Sequence, residues 1–312
     1  MRILIAGGSG YLGSNLAVHL NRKGHEVILG TRNSMDSPYW LVGVRADKLV
    51  WEDAKSLEKS CKDVDVVIQA AGMNAEDCMK NPKGALEFNG GATSRLLECA
   101  QEQGVRRFIY LSTAHVYGSP LVGRLNEESA TLNQHPYATS HLAGEDFIRR
   151  ACEGGGIKGV VLRLSNVYGA PIDAQTNCWM LLVNDICRQI IEKGSITLNS
   201  DGSQLRDFIP MVSFTKITEE LLISNLEKNF EIFNVGSEAS MTIRNMAELV
   251  QARCNILLGF TPVMKTKPQD LKKITENLMY DCSKLRNINI RFENWRVSEI
   301  DNLITYCKEQ FS

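Results

Sequence analysis

The chain has 312 residues, with 35 lysines and arginines against 36 aspartates and glutamates and a formal net charge of −1. That balance leaves no footprint for nucleic acid or an anionic membrane surface, and no apolar run is long enough to span a bilayer. The length suits one large domain or two closely joined ones around a well-buried core. Nine cysteines, at 61, 78, 99, 152, 178, 187, 254, 282 and 307, contain no Cys-x-x-Cys pair. Their scatter fits reduced, buried thiols in a cytoplasmic protein, with no disulfide framework and no metal site expected. The opening apolar run is four residues and leads into glycines, which is not the pattern of a signal peptide.

Ile3-Leu-Ile-Ala6 reads as a short buried strand. Glycines follow at once, and from Asn15 Leu16, Ala17 and Leu20 take helical spacing that Gly24 stops. Strand, glycine turn and helix in that order set helix N–H groups and the positive dipole end where a pyrophosphate can sit. Gly8, Gly10 and Gly13 fit one glycine spacing and Gly7, Gly10 and Gly13 another, with Tyr11 and Leu12 inside both. Either one marks a dinucleotide site.

Glu26-Val-Ile-Leu29 is the second strand, followed by Gly30-Thr31-Arg32-Asn33. An acidic residue at this strand end would bind the adenosine ribose. Gly30 stands at that position, and Arg32 supplies a cation suited to a 2′-phosphate, so NADP(H) is expected ahead of NAD. As an alternative, Arg32 is a solvated loop arginine. Lys48-Leu-Val-Trp51 and Val64-Asp-Val-Val-Ile68 read as parallel strands ending at the same edge. Asp53 fits an adenine contact or a helix cap equally well. Ala70, Ala71 and Gly72 are small enough for the cofactor to pass close to the backbone. Asn89 is read as opening a helix that Gly104 ends, and its default role is a cap. Arg106–Leu111 is the next strand, and the alternation of strands and helices to this point predicts a doubly wound parallel sheet.

Chemistry-bearing residues then concentrate in Ser112-Thr-Ala-His-Val-Tyr-Gly118 and in Pro136-Tyr-Ala-Thr-Ser-His141. The second piece starts a helix on which Tyr137 and His141 share a face. With the glycine turn, with Arg163-Leu-Ser-Asn-Val-Tyr-Gly169, with Gly202-Ser-Gln-Leu-Arg-Asp-Phe208 and with Phe233-Asn-Val-Gly236, the chain resembles the extended short-chain dehydrogenase/reductases, the nucleotide-sugar epimerase/dehydratase family, over roughly residues 1 to 300 by motif order.

The resemblance implies an α/β Rossmann-type sheet domain over 1–169 with a return near 205–236, and a smaller α/β substrate domain over 170–204 and 237–312. It implies catalytic roles for Thr113 and Tyr137, the tyrosine exchanging a proton with a sugar hydroxyl while Thr113 steadies the oxygen. It implies cofactor contacts from Gly7, Gly10, Tyr11, Leu12, Gly13, Thr31, Arg32, Asp53, Ala70, Ala71, Gly72, Asn89, Tyr137 and His141. Substrate contacts are implied for His115, Asn166, Asn177 and Arg206, the arginine on a diphosphate. The plainer readings are an ion pair with Asp207 for Arg206 and a hydrogen-bonded histidine beside the sheet for His115. The basic stretch of Lys265, Lys267, Lys272 and Lys273 reads as a solvated face. A homodimer through the helices near Asn89 and Tyr137 is the family arrangement.

Three departures stand out. His141 occupies the place of the family lysine, the cation that lowers the tyrosine pKa and holds the nicotinamide ribose. It can be protonated and do the lysine's work, be neutral and alter the pH dependence, or mark a protein that only binds. Ala114-His115 replaces the Asp-Glu acid–base pair of the dehydratases, so dehydration is not expected. Gln69 and Pro210 stand where many relatives have histidine. The leading expectation is a nucleotide-sugar 4-ketoreductase using NADPH. The alternatives are a C4 epimerase that retains NAD and a non-catalytic nucleotide-sugar or NADP-binding protein.

Overall fold

The computed structural model describes residues 1–33, 37–268, 277–291 and 296–312; Lys272 and Lys273 lie outside these. In chain order the elements are β1 (Arg2–Ala6), α1 (Tyr11–Arg22), β2 (Glu26–Thr31), β3 (Arg45–Lys48), α2 (Ala54–Cys61), β4 (Val66–Gln69), α3 (Ala75–Lys80) and α4 (Pro82–Ala85). A π-helical stretch, Leu86–Ala92, continues into α5 (Thr93–Glu102). Then come β5 (Arg107–Thr113), a 3₁₀ turn (Ala114–Val116), β6 (Gly123–Leu125), α6 (Pro136–Glu153), β7 (Lys158–Leu164) and β8 (Asn166–Tyr168). The remainder is α7 (Leu182–Lys193), β9 (Ser195–Thr197), β10 (Leu205–Arg206), β11 (Phe208–Pro210), α8 (Met211–Ile223), β12 (Phe230–Val235), β13 (Met241–Thr242), α9 (Ile243–Leu258), β14 (Val263–Lys265), β15 (Leu278–Tyr280), α10 (Ser283–Asn287) and α11 (Arg296–Phe311).

The chain divides into two compact units. One comprises residues 1–119, 130–164 and 218–233, the other 120–129, 165–217 and 234–312. Residues 120–129 and 165–169 therefore group with the second unit, as do 205–217 and 234–236, all of which the resemblance assigns to the sheet domain.

The first unit is a Rossmann-type α/β structure. Its sheet has seven strands in the order β12-β7-β5-β4-β1-β2-β3, with parallel pairing at β1–β2, β1–β4, β2–β3, β4–β5 and β5–β7. Ile3, Leu4, Ile5, Ala6, Val67 and Ile68 are wholly buried, as strands covered by helices on both faces must be. The strand order reverses between β1 and β4, so the loops after these two strands lie side by side at the switch point where such sheets bind ligands.

Three expectations need correcting. The third strand is Arg45–Lys48, not 48–51. The apolar Leu49 and Trp51 are buried just past its end, so their hydrophobicity reports core packing and not strand pairing. Helix α1 begins at Tyr11, four residues before the apolar spacing shows it, because the first helical turn faces the glycine loop and needs no apolar side chains. Asn89 does not open a helix. It sits buried inside the π-helical stretch, at 1% exposure.

The second unit packs α7, α9 and α11 around Tyr168, Ile186, Ile190, Phe208, Met246, Val250, Ile300 and Leu303. Two-stranded pairs surround this core: β8–β11, β9–β14 and β6–β15 are parallel, and β10–β13 is antiparallel. No helix among the described residues is long and apolar enough to cross a membrane.

Candidate active site

The glycine turn is built by backbone contacts that leave no room for side chains. Gly7 has φ +79°, and a Cβ on it would lie 2.7 Å from the amide nitrogen of Ala71. A Cβ on Gly13 would collide with the Gly7 carbonyl oxygen. The amides of Gly7 and Gly8 donate to the Gly30 carbonyl at 2.8 and 3.1 Å, which ties the turn to β2. A Cβ on Gly8 would lie 2.9 Å from the Ile5 carbonyl oxygen, so both glycine spacings, which share Gly10 and Gly13, are built into the turn. Gly10 is the N-cap of α1 and supplies no side-chain cap, so the first-turn N–H groups lack the partner that a Ser, Thr or Asp would give. A turn that excludes Cβ atoms, ending at an uncapped helix start, fits a dinucleotide pyrophosphate.

Strand β2 continues through Gly30 to Thr31, two residues past its expected end. The Thr31 hydroxyl is occupied with the carbonyls of Asn33, at 2.8 Å, and Asp47, at 3.3 Å. Arg32 is exposed and has no hydrogen bond or ion pair among the described residues. Asp53 is the N-cap of α2, accepting from the Lys55 amide at 3.1 Å, which is the capping alternative.

The loop after β4 brings several candidates together. Ala70 donates its amide to the Ala6 carbonyl at 2.9 Å, and Ala71 lies against Gly7. A Cβ on Gly72 would stand 3.4 Å from Asn89 Oδ1 and 3.9 Å from His141 Cε1. Asn89 Oδ1 accepts from the Met73 amide at 2.8 Å, and its Nδ2 donates to Ser140 Oγ at 3.0 Å. The π-helical widening turns this side chain toward the loop and α6, and such widenings recur at functional sites.

Thr113 closes β5, and Tyr137 opens α6 behind Pro136, its amide held by His135 Nδ1 at 3.1 Å. Thr113 lies beside the Tyr137 phenol, and its Oγ1 accepts from the His115 amide at 3.1 Å. The half-buried Tyr137 phenol is pushed above its ordinary value by burial, with Thr113 pulling the other way.

His141, one turn along α6, is 6% exposed and its ring packs edge-on against Tyr137, with centroids 4.7 Å apart. Burial drives its pKa down to about 4, and no charged group opposes that. The imidazole is therefore neutral at pH 7, and the reading in which it replaces the lysine as a cation is not the one the structure favours. His141 Nδ1 lies 2.9 Å from the hydroxyl of Tyr110, itself wholly buried.

Tyr110 escaped the sequence reading because a tyrosine in a strand looks like core. Glu145 escaped as well, although Tyr137, His141 and Glu145 follow one another at four-residue steps on one helix face. The buried Glu145 carboxylate accepts from Arg163 at 2.7 Å and from Ser112 Oγ at 2.6 Å, while Arg163 reaches Tyr117 Oη at 2.9 Å. This network fixes the β5 end that carries Thr113. His115 is half-buried, and its carbonyl accepts from Asn133 at 2.7 Å.

The remaining candidates belong to the second unit. Asn166 Nδ2 donates to the Asp207 carbonyl at 2.8 Å, which ties β8 to β11. Asn177 is exposed in the loop before α7. Arg206 is half-buried, bonds Gln204 at 3.3 Å and makes no ion pair among the described residues. Asp207 is turned instead to the amide and hydroxyl of Ser237, at 2.8 and 2.9 Å. The described residues include no group of three or more His, Cys, Asp or Glu arranged to hold a metal.

Comparison with known proteins agrees with this geometry. The chain is 30% identical over 275 residues to a UDP-glucose 4-epimerase of Lacticaseibacillus casei, covering 80% of this chain and 81% of the relative. It is 28% identical to a dTDP-6-deoxy-L-talose 4-dehydrogenase (NAD(P)(+)) of Kitasatospora kifunensis, over 84% and 82% of the two chains. Its fold is similar to that of UDP-glucose 4-epimerase of Thermotoga maritima solved with UDP-glucose, at a TM-score of 0.83, 21% identity and full coverage of both chains. The model of the NAD dependent epimerase/dehydratase family matches residues 3–236, and the chain belongs to that family.

Proposed function

We propose that this protein is a nucleotide-sugar oxidoreductase whose net reaction is reduction of a 4-keto hexose by NADPH. The observation that carries the reading is the Thr113–Tyr137 hydroxyl pair with a neutral histidine beside it where a cation would be needed to make the tyrosine a base. A phenol held above its ordinary pKa is a poor base at pH 7 but a loaded acid. Reduction calls for an acid, because the carbonyl oxygen must gain a proton as negative charge develops on it. Tyr137 gives that proton, and the Thr113 hydroxyl hydrogen-bonds the same oxygen. The nicotinamide, when bound, supplies the hydride. Gly7, Gly10 and Gly13 with the amides of Tyr11, Leu12 and Gly13 hold the pyrophosphate, and Ala70–Gly72 line the dinucleotide. Arg32, exposed beside Thr31 and with no carboxylate partner among the described residues, suits a 2′-phosphate. Arg206, without a carboxylate partner, is suited to the substrate diphosphate, with Asn177 and His115 as further sugar-nucleotide contacts. The work belongs in the cytoplasm, where the nine buried free thiols stay reduced. The exposed Leu86 and Phe147, on the π-helical stretch and on α6, support a homodimer through those helices, which sedimentation analysis tests.

A second reading, C4 epimerisation with retained NAD, has the similarity to UDP-glucose 4-epimerases in its favour. Epimerisation must begin by oxidising, so it needs the tyrosine as a base. Stoichiometric NADPH consumption with UDP- or dTDP-4-keto-6-deoxy sugars is expected, with a drop of about 10²- to 10⁴-fold for Tyr137→Phe. Protein that purifies with NAD(H) and interconverts UDP-glucose and UDP-galactose unaided would transfer the assignment to the epimerase. Binding of nucleotide-sugar without turnover by either route would leave a binding protein.

A further inference from the structure

His141 is surrounded by groups whose own hydrogen bonds decide which of its nitrogens carries the proton. Tyr110 Oη stands 2.9 Å from His141 Nδ1 and 3.3 Å from the Asn89 carbonyl. That carbonyl already accepts from Thr93 Oγ1 at 2.8 Å, and Thr93 in turn accepts from Gln69 Nε2 at 3.1 Å. The single phenol proton thus chooses among a near imidazole nitrogen, a farther carbonyl that already accepts from Thr93, and the Thr93 hydroxyl beside it, which already accepts from Gln69. The nitrogen wins on distance and on acceptor strength. A neutral imidazole that accepts at Nδ1 carries its proton at Nε2. Nε2 has no hydrogen-bond partner among the described residues, and the adjoining Cε1 faces Gly72, in the loop whose Ala71 packs on Gly7.

The groups packed on the ring add no charge to it. Tyr110 comes from β5, Tyr137 from the same helix, and Asn89 from the π-helical stretch. Glu145, one turn farther along α6, is committed to Arg163 and Ser112.

We propose that Tyr110 is a positioning residue that locks His141 as a neutral Nε2–H donor aimed at the nicotinamide ribose, so that this chain holds the ribose by a hydrogen bond in place of a cation. The proposal rests on reading this site as a dinucleotide oxidoreductase, and two measurements separate its failure from the failure of that reading. The first needs neither substrate nor turnover. Long-range proton–nitrogen NMR correlation of histidine-labelled protein, assigned with His141→Gln, should show His141 Nδ1 as an acceptor and Nε2 as protonated through the neutral pH range. An Nδ1–H tautomer, or an imidazolium at pH 7, would overturn the proposal whatever the enzyme does. In Tyr110→Phe the signal should become a mixture of tautomers; an unchanged single tautomer would remove Tyr110 from the role.

The second measurement compares ligands. NADPH contains the nicotinamide ribose and 2′,5′-ADP does not. His141→Phe, which removes the donor, should weaken NADPH binding by roughly five- to tenfold, the size of one hydrogen bond. Tyr110→Phe should weaken it by about twofold, the reciprocal of the Nε2–H fraction left in the tautomer mixture. Both should leave 2′,5′-ADP binding unchanged. Equal losses for both ligands would indicate a disturbed fold and count against positioning. Absence of sugar reduction with the NMR result intact would remove the proposed reaction and leave the locked tautomer standing.

Discussion

Two sets of buried charged groups, one in each compact unit, sit in opposite surroundings. In the first, Glu145 and Arg163 are almost completely removed from water and satisfy each other, with Ser112 and Tyr117 taking the remaining positions. In the second, Glu299 is buried with one main-chain donor, the Val212 amide at 3.3 Å. Arg206 there is half-buried, burial lowers its pKa, and no carboxylate among the described residues offsets that effect. A buried charge that is fully paired belongs to the scaffold. Arg206 keeps donors that an anionic ligand can use, and the buried Glu299 carboxyl keeps its proton, titrating at about 7.

The largest effect should come from breaking the paired charge. Glu145→Gln leaves the Arg163 guanidinium buried without its counter-ion, at a cost of about 3–5 kcal/mol, and loosens the strand end that presents Thr113. Arg206→Leu should alter stability by less than about 1 kcal/mol, since replacing a buried charge by an apolar group is often neutral. Its loss should appear as weaker nucleotide-sugar binding. Urea denaturation of both variants checks the contrast, and similar losses would show that Arg206 also belongs to the scaffold.

The next effect concerns pH and has opposite signs in the two units. His141 titrates at about 4 in the folded chain and near 6.5 when unfolded. Between those values the unfolded state binds the extra proton, so stability falls by about 3 kcal/mol as pH drops from about 6.5 to about 4. Glu299 titrates at about 7 folded against 4.5 unfolded. Here the folded state keeps the proton, and stability falls by about 3 kcal/mol as pH rises from about 4.5 to about 7. The two slopes offset one another in the parent. His141→Gln should expose the declining slope and Glu299→Gln the rising one, read as differences from the parent in melts across this range. Superimposable profiles for all three proteins would contradict both assignments.

Legibility in the sequence followed how local each feature is. Gly7, Gly10 and Gly13 could be read because a tight turn demands particular residues at fixed spacing, and Thr113 and Tyr137 could be singled out because each stands in a short motif carried by the family resemblance. The position of β3 could not, since Leu49 and Trp51 are as apolar as a strand while only backbone pairing with β2 distinguishes Arg45–Lys48. The π-helical setting of Asn89 has no spacing signature, because it depends on side chains from α6 and the loop after β4. The neutral state of His141 is equally non-local. It follows from burial beside Tyr110, a residue 31 positions earlier in the chain.

Asp53 is the place where a candidate of the first unit can be moved from ligand contact to scaffold. Its carboxylate accepts from the Lys55 amide at the start of α2, and Ser56 and Leu57 bond back to its carbonyl at 3.1 and 3.3 Å. Loss of such a cap costs about 1 kcal/mol. Asp53→Ala should therefore lower stability by that amount, while Asp53→Asn, which keeps the accepting oxygen, should stay near the parent. If the carboxylate also met the adenine, both variants would weaken NADPH binding, since Asn lacks the charge. A fall in stability for Ala alone, with dinucleotide affinity unchanged in both, places Asp53 with Glu145 in the scaffold. A loss of affinity in both returns it to the residues proposed to contact a ligand, with Arg206.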